Sequence, residues 1–170
     1  MIFGLKSDFA IEAYCDWIDD DKKYVFGRMC CWSNGKPLGD IDEADCMLDV
    51  TAVFFESLLK RLDQLENSVL NELSDSQLYK FIDCKIYEDD ERSIDQVISD
   101  AETYYKYDFL TNGGESFDCS KSFILVDGNF CRILFNDDRS KENVFTRVSK
   151  TGFISAVSDF LLWYEAAKSK

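Results

Sequence analysis

Apolar and polar side chains alternate from Phe9 onward: Phe9, Ile11, Ala13, Cys15 and Trp17 fall on one side, Glu12, Tyr14 and Asp16 on the other. A period of two is that of a strand with one buried face, so the segment reads as a half-buried strand. Asp19, Asp20, Asp21, Lys22 and Lys23 interrupt the pattern, and YVFGRMCCW resumes it as a second strand. Asn34-Gly35 then supplies a two-residue turn of the kind that joins right-twisted strands. A third short strand around Pro37 to Ile41 is expected at an edge, because proline has no backbone donor to offer a ladder.

Between Met47 and Leu65 the spacing lengthens to three and four residues, with Leu48, Phe55, Leu58, Leu59 and Leu62 in register and Met47, Val50 and Phe54 beside them. This predicts a long core-facing helix. Glu56 and Lys60 lie four apart in the favourable order, worth only about 0.2–0.5 kcal/mol, so packing must hold the helix. Ser74-Asp75-Ser76-Gln77 and Ser93-Ile94-Asp95-Gln96 are capping-box patterns and predict helices over 75–86 and 94–107. In the second of these, Ile94, Val97, Ile98, Ala101 and Tyr105 form the expected buried stripe, with Tyr104 and Tyr107 nearer its margins.

After the Asn112-Gly113-Gly114 loop, FILV, the turn Asp127-Gly128 and NFCRILF signal a second hairpin, with a further strand around Val144 to Val148. Phe153, Val157, Phe160, Leu161 and Tyr164 predict a last helix, with Lys168 and Lys170 opposing the negative pole of its dipole. Strands, then helices, then strands, then a helix describe an α+β fold, antiparallel hairpins packed against several helices. No internal repeat or proline-rich linker divides the chain, so residues 1–170 are read as a single domain.

Composition narrows the function classes. The 170 residues are 46% apolar and 15% aromatic, enough for a packed core. Lys and Arg number 19 against 33 Asp and Glu, a net charge of −14, which repels phosphate backbones and anionic membranes and suits a basic protein partner. Histidine is absent, which removes Ser-His-Asp and Cys-His catalysis, His-containing zinc sites and His-based pH switches. Cys15, Cys30, Cys31, Cys46, Cys84, Cys119 and Cys131 make an odd count without metal-ligand spacing, and most lie in apolar stretches, as reduced thiols of a cytosolic protein do. MIFGLKSDFA has neither the basic nor the apolar region of a secretion signal.

The densest carboxylate group, Asp40, Asp42, Glu43 and Asp45, raises a metal site or a paired-carboxylate enzyme. Its spacing matches no EF-hand loop, and the plainer reading has Asp45 capping the following helix. No metal or cofactor is expected. Adjacent Cys30 and Cys31 face opposite sides of a strand and lack a histidine base, so packing of at least one in the core is the better reading. The acidic loops Asp19, Asp20, Asp21 and Glu88, Asp89, Asp90 create a negative field that attracts a basic protein, and Tyr104 and Tyr107 offer amphipathic contacts or complete the core.

Phe3-Gly4, Phe9-Ala10-Ile11-Glu12, Phe26-Gly27, Trp32, Gly35 and Gly39-Asp40, in hairpin order over roughly the first 60 residues and followed by the apolar helix, resemble the immunity-protein 42 family of bacterial polymorphic toxin and contact-dependent inhibition systems. The resemblance implies a small α+β cytoplasmic protein, encoded beside a toxin, that binds the toxin domain and protects the producing cell or its siblings without catalysis. The matched positions look structural. The expected partner is a cognate toxin domain with a basic surface, a nuclease being one such kind. The expected contacts are Asp19, Asp20, Asp21, Glu88, Asp89, Asp90, Tyr104 and Tyr107. The alternative is a carboxylate- or metal-dependent enzyme built on Asp40 to Asp45.

Overall fold

Two hairpin turns organise two antiparallel sheets in the computed structural model, which describes residues 1–21, 23–88, 91–118, 120–137 and 142–169. In the first sheet β1 (Ile2–Gly4), β2 (Phe9–Ile18), β3 (Val25–Ser33) and β4 (Lys36–Leu38) lie in that order, and β5 (Cys46–Met47) also pairs with β3. Asn34 and Gly35 join β3 to β4 at φ +48° and +77°, the left-handed values that a two-residue turn of this hand requires. Pro37 is paired with Trp32 on the edge strand, which ends at Leu38, short of Ile41, because Gly39 turns the chain at φ +92°. In the second sheet β6 (Ser120–Asp127), β7 (Phe130–Asp137) and β8 (Glu142–Ser149) are neighbours in chain order. Asp127 pairs with Phe130, so the loop residues are Gly128 and Asn129, one place later than the sequence suggests.

Five helices among the described residues complete the fold: α1 (Leu48–Arg61), α2 (Ser68–Asn71), α3 (Asp75–Tyr87), α4 (Ile94–Tyr104) and α5 (Lys150–Lys168). Both capping boxes form, Ser74 with Gln77 and Ser93 with Gln96. The Glu56–Lys60 pair closes at 2.7 Å on the exposed side of α1.

The inner face of the first sheet packs on α1 and α5. Phe9 meets Phe153 with ring centroids 4.5 Å apart, and Phe3 and Phe55 approach Phe160 at 6.0 and 5.8 Å. The second sheet is covered on both faces. Tyr79 of α3 lies 5.2 Å from Phe123 on one side, while on the other Ser33 and Thr146 share a buried 2.5 Å hydroxyl contact between the sheets. Two covered faces explain why Phe123 to Val126 and Ile133 to Phe135 are unbroken apolar runs, whereas β2, covered on one face, alternates. One continuous cluster of buried side chains joins both sheets.

Three local expectations are corrected. Met47 belongs to β5, and it stands at the helix N-cap without a side-chain hydrogen bond; Asp45 adopts φ +60° and caps nothing. The nearby backbone donors go elsewhere, Met47 N–H to the Glu115 carboxylate and Val25 N–H to Asp49 in the first turn of α1. The apolar stripe of α4 faces outward: Ile94 is 78% and Ile98 53% exposed, and no residue of α4 is buried. Its inward side carries Asp100, Ala101 and Tyr104, the carboxylate bonded by Lys85 of α3 and by Arg92 at 3.0 and 2.7 Å and the tyrosine ring set against Phe81. The ion pairs of Asp100 and the packing of Tyr104, not the expected apolar stripe, set the rotation of this helix. The chain then tightens into a 3-10 turn over Tyr105–Tyr107, whose shorter period carries Tyr107 into the core.

Candidate functional site

The face of the first sheet turned away from α1 and α5 is built by a β-bulge. Pairing runs Cys15 with Gly27 and then Trp17 with Phe26, so Asp16 is the extra residue on β2. Without that insertion Trp17 would continue the inward series of Phe9, Ile11, Ala13 and Cys15. The bulge shifts the alternation by one and turns the indole outward, 46% exposed. Gly27 permits it, since a Cβ there would overlap the Tyr14 carbonyl oxygen.

Trp17 lies flat on Phe26, centroids 4.0 Å apart and planes 8° from parallel, and its indole N–H donates to Asp45 at 2.8 Å. Further along the face Glu12 accepts from Lys6 at 2.6 Å, from the Tyr14 hydroxyl at 3.0 Å and from the Trp32 indole at 3.0 Å. Lys6 Nζ also stands 3.8 Å over the Trp32 ring. Arg28 makes a two-pronged bond to Asp16, at 2.9 and 3.0 Å, beside the Tyr14 ring. Ala10 and Cys30, cross-strand partners of Trp32 and Glu12, are fully buried on this face.

The electrostatics follow from these bonds. The Lys6 hydrogen bond, aided by Tyr14 and Trp32 against the effect of burial, holds Glu12 below the usual carboxylate range. The same bond to Glu12 raises the Tyr14 phenol. Burial pushes the Cys30 thiol up to about 12 and Cys31 well above its ordinary value, so neither is a nucleophile at neutral pH. Cys31 sits in the core cluster, as the sequence reading required of at least one of the pair, while Cys30 is buried on the opposite face.

The loop acids Asp19, Asp20 and Asp21 follow β2 at one end of this face, where Asp21 pairs with Lys23 at 2.9 Å and Asp19 accepts from Tyr24 N–H. Asp40 to Asp45 form the β4–β5 connection. Two of the carboxylates there serve the chain itself: Asp40 accepts from Asp42 N–H, and Asp45 from Trp17. No group of three or more Asp, Glu or Cys among the described residues converges to hold a metal ion. Glu88 caps α3 on the side of the second sheet, in a different layer from Asp19 to Asp21; Asp89 and Asp90 lie outside the described residues, as do Lys22, Cys119 and Lys170. Tyr104 packs edge-on against Phe81 and is half-buried. Tyr107, 1% exposed with its hydroxyl near Asn67, completes the core and offers a partner nothing.

Sequence reasoning missed the Trp17, Phe26 and Asp45 group, since a bulge leaves no mark in a hydropathy pattern. The glycine at 27, inside the strand Val25–Ser33, was the available signal. It also missed Asp108, the only buried acidic side chain among the described residues. Its carboxylate accepts from Tyr87 at 2.7 Å in a cleft lined by Phe54, Arg61 and Tyr105, and burial pushes it up to about 6.

A comparison with family models matches residues 1–163 to Imm42, immunity protein 42, and the chain belongs to that family. The protein is thus a toxin-neutralising immunity protein, which binds a cognate toxin. Among solved structures it is similar to the crystal structure of CdiI from Burkholderia dolosa AUO158, with a TM-score of 0.67 and 17% identity over 95% of this chain and 99% of that one. At that identity the likeness is one of fold. A comparison with curated proteins gives no match. No helix among the described residues is long and apolar enough to cross a membrane.

Proposed function

We propose that this chain works in the cytoplasm as a stoichiometric, non-enzymatic inhibitor, a single domain that holds a basic toxin domain and blocks its access to substrate. A nuclease, whose own surface must attract phosphate, is the kind of toxin this chemistry suits. The observation that carries the reading is the net charge of −14 on a chain of the immunity protein 42 family. Asp19, Asp20 and Asp21, with Glu88, Asp89 and Asp90 and the half-buried Tyr104, are the candidate contacts. Rim charges of this kind chiefly set association rate and its salt dependence.

The experiment is titration of the activity of the toxin encoded by the neighbouring gene with purified protein at several salt concentrations. Inhibition should end at one equivalent, and association should slow as salt screens charges beyond about 8–10 Å. Inhibition that is substoichiometric and catalytic overturns the binding mechanism.

A further inference from the structure

We infer that the uncovered face of the first sheet, centred on Tyr14, Trp17 and Arg28, is the surface that grips the toxin, and that its occupant is a lysine- and arginine-bearing patch of the toxin domain. The inference rests on the inhibitor reading above and names its interface.

The bulge is the first support. A tryptophan that the alternation would bury is turned onto an open face, and a glycine whose neighbour leaves no room for a Cβ is kept to allow it. Bulges re-aim side chains in this way. Core packing gains nothing from an indole left 46% exposed. No helix among the described residues covers this face, where Ile2 and Tyr14 are also exposed.

The second support is how the side chains are held. Trp, Tyr and Arg are the residue types that carry most binding energy in protein interfaces, and ordering them ordinarily opposes binding. Here they are ordered beforehand: Trp17 by Phe26 and Asp45, Trp32 and Tyr14 by Glu12, Arg28 by Asp16. They stand on strands rather than on loops.

Charge selects the occupant. Among the described residues, Lys6, Arg28 and Lys23 of this face and its end loop are each engaged by a carboxylate, Lys6 by Glu12, Arg28 by Asp16 and Lys23 by Asp21. Asp19, Asp20, Asp42 and Glu43, along its end and edge, make no ion pair among the described residues. The residual field is therefore negative, and a surface of lysine and arginine complements it while their side chains stack on Tyr14 and Trp17. The rival surface, the outward stripe of α4, is apolar and carries no such lattice.

The test uses the toxin domain encoded by the neighbouring gene, inactivated at its catalytic residues, as the probe. Hydroxyl-radical footprinting of the unsubstituted protein should show Tyr14 and Trp17 protected in the complex, with Ile94 and Ile98 labelled as in the free protein. Tyr14→Ala and Trp17→Ala, checked for an unchanged fold by circular dichroism, should each weaken binding at least tenfold through faster dissociation. Asp42→Lys should slow association several-fold, and Ile98→Lys should bind within twofold of the parent. Equal labelling of Tyr14 and Trp17 with and without toxin, or loss of binding confined to Ile98→Lys, overturns the inference while the inhibitor reading stands. Loss in both sets keeps this face in the interface and extends it to α4, whereas no complex with the unsubstituted protein defeats the inhibitor reading and the inference together.

Discussion

Gly27 faces the backbone carbonyl of Tyr14 so closely that any side chain at 27 must displace it. That contact holds the β2 bulge and, through it, the outward direction of Trp17. Gly27→Ala should therefore lower stability by about 1–3 kcal/mol, the usual effect of forcing atoms into a filled site. Urea unfolding measures it. A neutral effect would mean that the bulge tolerates a side chain and that Trp17 is not held in place by it.

Arg132 is a buried guanidinium on β7 whose bonds go to Asp75 at 2.6 and 2.9 Å and to the Leu73 carbonyl at 2.9 Å. It closes the segment between α2 and α3 against the second sheet. Arg132→Met leaves the Leu73 carbonyl, and that of Asn71 3.3 Å from the guanidinium, without their donor and should lower stability by about 2–4 kcal/mol. Asp75→Asn should cost about 1 kcal/mol or less, since Asp75 is half exposed and screened. Comparing the two unfolding free energies separates the buried carbonyl contacts from the ion pair.

Asp108 links stability to pH. Its folded pKa is raised to about 6 by burial, so the native state keeps a proton that the unfolded chain has already lost. Its contribution is fully present below about pH 4 and is lost as pH rises through about 6. Asp108→Asn keeps an acceptor for Tyr87 without a charge to desolvate. The variant should be more stable than the parent at pH 7 by about 1–3 kcal/mol, the difference vanishing near pH 4. Thermal melts across that range decide it, and a constant difference would place the origin elsewhere.

The cysteines should be reduced in protein purified from cytosol without oxidant. Cys30, Cys31, Cys46 and Cys131 are buried, and burial raises all four thiols. They should react with a thiol reagent only on unfolding, where counting should find most of the seven residues as thiols. Three intramolecular bridges would contradict this.

Chain-local chemistry made much of this protein legible before any coordinates. Ser74-Gln77 and Ser93-Gln96 satisfy backbone donors within one turn, and Asn34-Gly35 reverses the chain in two residues, so helix starts and the first hairpin follow from neighbours alone. Acidity and the absence of histidine pointed to a binding protein with a basic partner, and the resemblance carried by Phe3-Gly4, Phe9-Ala10-Ile11-Glu12 and Phe26-Gly27 supplied the immunity class. What the tertiary structure decided is direction. Apolar patterning marks α4 as amphipathic, yet Asp100, bonded by both Lys85 and Arg92, rotates its apolar side to solvent, a choice made by residues on α3 and its following loop. Trp17 belongs to the inward series by period and to the outer face in fact, because the inserted Asp16 is an extra residue only relative to a partner strand. Local bonds are written by adjacent residues; which way a side chain faces depends on what another segment brings opposite it.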